Sequence, residues 1–533
     1  MRRKITAELE AWAARPNKKP LVLFGARQTG KTTSVLDFAR THGAYADVIH
    51  IDFYKQPGLK AAFAANLDPR SVIAALEALL GREIPSGNTL LFLDEIQDCD
   101  QAITALKFFA TDAPEYPVIA AGSLLGVHVA RSGSFPVGYV DMLTMHPMDF
   151  EEFCWALGEE RAFALARASF HDLTECAVHD HLLGIYKEYL LVGGMPEAVA
   201  AYAESRSLPA ARAVQSNIRT AYAADMVKYI SGVDAAKVGA CWDSLPAQLA
   251  KESGSTKFMW KYVASGAKAE RYESAVDWLV AAGVATRCTQ ISDGLAPLKS
   301  FEKPTSFKLY MADTGLLANA YGASPADLET RDVRTGRFRG GVAENYVMQQ
   351  LVSAGQRPYY WGVQSTGEVE FVLQTEEGVI PVEVKSGKHV ASPSAIRFAN
   401  KYGCPYLVRV SEKNFGSSDG VHSVPLYAAC LLGESWAGTT APPTGSAPAG
   451  RPGWRGRCRA RGTRRTTPPA RGSSAGSRSS SSTAATGAAG PRSRSSRSFP
   501  ATSAGTARRA SRPSTRAARR RTTRSGAAGG GSG

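Results

Sequence analysis

The sequence has no run of eighteen apolar residues, no Cys-x-x-Cys pair among its eight cysteines, and no Lys, Asp or Glu anywhere in residues 437–533. The first absence excludes an ordinary membrane-spanning helix, and the start Met1-Arg-Arg-Lys-Ile-Thr-Ala-Glu-Leu-Glu10 has no apolar core of the signal-peptide kind. A soluble, cytoplasmic protein with no membrane partner is expected. The scattered cysteines, several in apolar surroundings such as Cys154 and Cys430, suit reduced thiols better than disulfides or a zinc site. The third absence relocates the charge. The chain is +15 overall, but residues 437–533 hold twenty arginines and nothing acidic, so the 436 residues before them are net acidic. Whole-chain charge therefore gives no basic binding face, and a nucleic-acid partner has to be argued from sites. At 533 residues several domains are expected.

The most informative stretch is Leu21-Val-Leu-Phe-Gly-Ala-Arg-Gln-Thr-Gly-Lys-Thr32. Four apolar residues suit a buried parallel strand, and Thr33 to Arg40 places Val35, Leu36 and Ala39 on one helix face. Between them lies a P-loop. Gly25 and Gly30 let the backbone turn with its N–H groups inward, and the helix adds its positive end, so the loop cradles phosphate. Gly25, Ala26, Arg27, Gln28, Thr29, Gly30, Lys31, Thr32 and Thr33 are the candidate ATP-binding residues. Lys31 would reach the β- and γ-phosphates, and Thr32 would sit on Mg²⁺.

Thr89-Leu-Leu-Phe-Leu-Asp-Glu-Ile-Gln97 reads as a Walker B strand. Asp94 would hold the Mg²⁺ and Glu95 would orient and polarise the attacking water, although acidic residues at a strand end also cap helices. The strand Pro117-Val-Ile-Ala-Ala-Gly-Ser123 places Ser123 where a polar sensor of the γ-phosphate sits in AAA-fold ATPases; an ordinary turn serine is the alternative. Alternating strands and helices predict a parallel α/β sheet of the P-loop NTPase (AAA) type over 1–150, with the ligand at the carboxyl ends of the strands.

Residues 151–243 read as a helical, lid-like region, with Val192-Gly-Gly-Met-Pro196 as a turn between helices. Residues 244–330 offer three helices and a hairpin, a winged-helix-like pattern. With Glu270 and Glu273 flanking the third helix, a packing or protein-contact module is favoured over a groove reader. Residues 331–432 read as a separate small α/β unit, closing on a strand at Pro425-Leu-Tyr-Ala-Ala-Cys-Leu-Leu432. Within it Glu370 and Glu383, from neighbouring strands, would bind one metal ion, with Lys385 positioning a water and Glu344 adding a carboxylate from a helix. That is the layout of a PD-(D/E)xK, restriction-endonuclease-like core; a surface ion pair is the plainer reading. Residues 433–533 have almost nothing to bury and are expected to be disordered, their abrupt composition fitting translation in a shifted frame.

Together these residues resemble a prokaryotic family of AAA-fold ATPases joined to a C-terminal domain of unknown function numbered 4143. The resemblance covers about Arg3 to Leu432. It rests on the P-loop, Asp94-Glu-Ile-Gln97, Gly122-Ser-Leu-Leu125, Phe135-Pro-Val-Gly138, Pro147-Met-Asp-Phe150, Gly193-Gly-Met-Pro-Glu197, Phe307-Lys-Leu-Tyr-Met-Ala-Asp-Thr-Gly-Leu-Leu317, Glu344-Asn-Tyr346 and Val382-Glu-Val-Lys385. It implies ATP and Mg²⁺ as ligands and a nuclease-like C-terminal fold. Tyr139 and Glu370 depart from the basic residue and the Asp common at those places in the family. Three functions are open: an ATPase whose nucleotide state controls the C-terminal module, an ATP-gated metal-dependent nuclease, and a non-catalytic switch that binds a protein, DNA or RNA or associates with itself. Arg131 and Arg219 are arginine-finger candidates.

Overall fold

A computed structural model describes residues 1–41, 43, 45–131, 135–230, 233–250, 255–329, 333–363, 367–387, 393–434 and 436. The first sheet is wholly parallel. Its strands are β1 (Leu21–Phe24), β2 (Asp47–Asp52), β3 (Thr89–Asp94), β4 (Val118–Ala121) and β5 (Asp141–Thr144), in the order β2-β3-β4-β1-β5. Side chains alternate across it as the pleat requires. Leu21, Leu23 and Phe92 pack with Val35 and Phe38 of the helix Lys31–Thr41. Val22, Leu91 and Leu93 face the other way, onto Phe53, Leu106 and Phe109. Both faces are covered, which is why the strands are continuously apolar. Fully burying each such side chain contributes about 1.5–3 kcal/mol.

Local signals set the helix ends. Asp68 caps Pro69–Leu80 by accepting from the Ser71 N–H at 2.9 Å. Asp149 and Glu152 form a reciprocal capping box at the start of Phe150–Leu157. Helices His179–Val192, Pro196–Ser205, Leu208–Tyr229 and Val233–Leu249 follow, giving the expected helical middle.

The second sheet has eight strands and is mixed: β6 (Ala285–Ile291), β7 (Glu302–Met311), β8 (Tyr359–Val363), β9 (Gly367–Thr375), β10 (Gly378–Val384), β11 (Leu407–Ser411), β12 (Gly416–Ser418) and β13 (Val421–Pro425), ordered β12-β13-β11-β10-β9-β8-β6-β7. This corrects two expectations. The β6–β7 hairpin is not the wing of a free-standing module, because Thr289–Ile291 pairs in parallel with Tyr359–Trp361 and extends the C-terminal sheet across residue 330. The apolar run after Pro425 is a 3₁₀ helix, Leu426–Leu431, rather than a last strand. Order also continues past Leu432, since Glu434 pairs with Arg167 and the Trp436 ring packs on Phe170 and Tyr406. The expected disordered stretch 437–533 lies outside the described residues. No helix among the described residues is long and apolar enough to cross a membrane.

Candidate nucleotide site and C-terminal carboxylate cluster

The loop after β1 turns as its glycines require. Gly25 has φ 138° and Gly30 φ 92°, and a Cβ on Gly25 would stand 2.2 Å from the Met145 carbonyl oxygen, so no other residue fits there. Thr29 Oγ1 donates to the Ala26 carbonyl at 2.9 Å, and Tyr222 OH donates to the Arg27 carbonyl at 2.9 Å. The Lys31 ammonium folds back onto the loop, donating to the carbonyls of Gly25 and Ala26 at 2.9 and 2.7 Å. Burial pulls its pKa down to about 8, against the pull of Glu95 and Asp94.

Thr32 and Asp94 come together at the mouth of the loop, the hydroxyl donating to Asp94 Oδ2 at 2.7 Å. His50 Nε2 lies 3.3 Å from the same oxygen, its ring stacked on Phe92. Glu95 takes a left-handed backbone conformation, φ 49° and ψ 43°, and its Oε2 accepts from Gln97 Nε2 at 2.6 Å and from Ser123 Oγ at 3.0 Å. Ser123 follows β4, which lies between β1 and β3. Lys31, Thr32, Thr33, Asp94, Glu95 and Ser123 line one cavity of about 440 Å³, with Arg3 and Pro196 on its walls. Arg27 lines it too and pairs with Asp225. Arg3 backs the loop, donating to the Thr29 carbonyl at 2.9 Å and pairing with Glu152 at 3.0 Å. Arg3, His50 and Gln97 were not legible as site residues; Gln97 at least sits inside the Asp94-Glu-Ile-Gln97 motif. Arg219 donates to Asn319 and is not among the lining residues, and the Arg131 side chain lies outside what is described.

Residues 17–154, which hold the P-loop, Asp94, Glu95 and Ser123, match the family described as AAA domain. The first part of this chain is therefore similar to AAA domains and carries their P-loop. The AAA domain is followed by matches to Domain of unknown function (DUF8612) over residues 184–327 and Domain of unknown function (DUF4143) over 339–429. No curated protein matches the sequence. Among solved structures, the Walker-type ATPase of Pyrococcus abyssi is 16% identical, with 60% of this chain and 95% of that chain covered at a TM-score of 0.38. The Orc1 protein of Aeropyrum pernix, solved in complex with DNA, is 12% identical over 59% of this chain and 90% of its own, at a TM-score of 0.26. Cdc6p from Pyrobaculum aerophilum is 11% identical over 64% and 93%, at 0.21. All three likenesses are distant.

The C-terminal carboxylates Glu344, Glu370 and Glu383 are each held in an ion pair with a lysine. Lys308 of β7, fully buried, stands 2.7 Å from Glu344 and 2.5 Å from Glu368. Tyr310 OH and Thr256 Oγ1 also donate to Glu344, at 2.6 and 2.7 Å. Burial raises the pKa of Glu344, but Lys308 and these hydrogen bonds outweigh it and hold the carboxyl below its usual value. Lys385 stands 3.2 Å from Glu370 and 2.6 Å from Glu383. Burial, then the neighbouring Glu383, pushes Glu370 up to about 8. Among the described residues no group of three or more His, Cys, Asp or Glu is arranged to hold a metal. Lys308 supplies the local positive charge to Glu344 instead. Lys308 and Tyr310 were missed because only their alternation along an apolar strand marked them.

Proposed function

We propose that the chain binds and hydrolyses Mg·ATP at the P-loop and uses nucleotide state to control its C-terminal module. The observation that carries this is the 2.7 Å contact between Thr32 and Asp94, which gathers the two metal-facing groups beside Lys31 and Glu95 in one cavity. Inward N–H groups of residues 25–33 bind phosphate oxygens, and Lys31 exchanges its loop carbonyls for the β- and γ-phosphates. Thr32 and Asp94 would hold Mg²⁺, which would supply positive charge to the phosphates. Glu95 takes a proton from water, and Ser123 contacts the γ-phosphate. Titration with a fluorescent ATP analogue tests the site: Lys31→Ala should weaken binding by roughly 10²-fold through loss of a charge-assisted contact, and equal binding would sink the reading.

A second reading, a cation-dependent nuclease at Glu370, Glu383 and Lys385, draws on one observation. Among the described residues, Glu370 Oε2 and Glu383 Oε2 are buried without a hydrogen-bond partner. It requires Mg²⁺- or Mn²⁺-dependent cutting of DNA or RNA that Lys385→Ala abolishes and Lys31→Ala does not.

A further inference from the structure

Three of the sequence motifs and the helix that carries a fourth meet at one buried junction. Met148 lies in Pro147-Met-Asp-Phe150, Gly194 in the turn before the helix Pro196–Ser205, Asp313 two residues past the end of β7, and Gln349 and Gln350 four and five residues past Asn345 in the helix Val333–Ser353. The Met148 N–H donates to the Gly194 carbonyl at 2.7 Å, and the Gly194 N–H donates to Asp313 Oδ2 at 2.6 Å. Gln349 Oε1 accepts from the Thr314 N–H and hydroxyl at 2.9 and 2.7 Å. Its Nε2 donates to Tyr189 OH at 2.8 Å, and that hydroxyl donates to the Met148 carbonyl at 2.5 Å. Gln350 Oε1 accepts from the Phe150 N–H at 2.8 Å.

There is no slack in this packing. A Cβ on Gly194 would meet the Met148 oxygen at 2.0 Å, and one on Gly193 would meet Asp313 Oδ1 at 2.4 Å. Asp313, Tyr189, Gln349 and Gln350 are all buried, so a broken hydrogen bond leaves an unpaired polar group without water. Such a junction moves as a unit or repacks; it does not yield gradually.

Each end of the junction reaches a site. On one side Pro196, two residues past Gly194, lines the nucleotide cavity and lies 3.6 Å from where a Gly30 Cβ would be. Arg3 adds a second route from the Thr29 carbonyl to Glu152, in the helix that Phe150 begins. On the other side the Val333–Ser353 helix carries Glu344, held by Lys308 beside the Glu370 and Glu383 cluster.

We propose that this junction couples nucleotide occupancy at the P-loop to the setting of the Val333–Ser353 helix and, through Glu344, to the C-terminal carboxylate cluster. The proposal rests on the reading of the P-loop as a nucleotide site. Coupling of this kind is reciprocal and must appear as a change at the distant end when the near end is filled.

Amide hydrogen exchange on the full chain, with and without a non-hydrolysable ATP analogue and Mg²⁺, reads it directly. In wild type the analogue should slow exchange by about fivefold or more in peptides covering residues 342–353 and 368–384 as well as around the P-loop. In Gln349→Met, which keeps the side-chain length but loses both polar groups, the analogue should still bind and still protect the P-loop, while the response in 342–353 and 368–384 disappears. Asp313→Asn, which replaces an oxygen facing the Gly194 N–H, should behave alike; if it does not fold, Gln349→Met decides. Protection confined to the AAA domain in wild type, or a full distant response in Gln349→Met, overturns the coupling and leaves the nucleotide site standing. Failure of wild type to bind the analogue overturns the nucleotide reading and the coupling with it.

Discussion

The Gln97 amide donates to Glu95 Oε2 at 2.6 Å, and a Cβ on Gly122 would fall 2.1 Å from the other end of that amide. Gly122 therefore makes room for Gln97, and Gln97 with Ser123 fixes Glu95, the carboxylate proposed to polarise water. A base held loosely loses orientation without losing its charge. Gln97→Ala and Gly122→Ala should each lower ATP turnover by roughly tenfold with little change in nucleotide affinity. Steady-state kinetics would show a fall in kcat with KM nearly constant, and a fall confined to affinity would place Gln97 elsewhere.

Lys31 gives the nucleotide site a pH dependence. Burial lowers its pKa to about 8 before ligand arrives, and bound phosphates favour the charged form and raise it. Affinity should then be level below pH 8 and fall above it, by up to about tenfold per pH unit, until the bound-state pKa is reached. Lys31→Arg, whose charge does not titrate in this range, should bind with no such fall. Nucleotide titrations between pH 6.5 and 9.5 check both.

Asp313 makes stability depend on acid. Burial lifts its carboxyl to about 6 from an ordinary 3.8, despite hydrogen bonds from the Gly194 and Leu316 N–H groups. The folded state thus binds the proton more readily than the unfolded chain. The resulting stabilisation is complete below the ordinary value and is lost as pH rises to about 6, an effect of about 2–3 kcal/mol. Urea unfolding should show this slope in wild type and its loss in Asp313→Asn.

Lys308 is fully buried between Glu344 and Glu368. Removing it strands the Glu344 carboxylate, which burial disfavours, and takes an ion-pair partner from Glu368. Lys308→Met should destabilise the chain by about 3–5 kcal/mol, whereas pairing it with Glu344→Gln should restore part of the loss. Denaturant midpoints of the single and double variants measure the coupling.

The candidate nucleotide site was legible because its parts are local: one strand, one loop and one helix start supply residues 21–33, and Asp94, Glu95 and Ser123 lie at or just past the ends of strands of the same sheet. What escaped is long-range. Lys308 and Glu344 are thirty-six residues apart, and nothing in either neighbourhood names the other. The β6–β7 hairpin looked self-contained because pairing of Thr289 with Tyr359 depends on strand order, which periodicity does not encode. The run Leu426–Leu431 is apolar throughout, and a short run of that kind does not separate helix from strand.

Phosphate release from Mg·ATP by the purified full chain, compared with Glu95→Gln, tests the central claim most directly. The account predicts measurable turnover in wild type and a loss of about 10²-fold or more in the variant with nucleotide affinity unchanged, as expected for removal of a general base. Equal turnover by the two proteins, or none by a wild type that binds ATP, would contradict it.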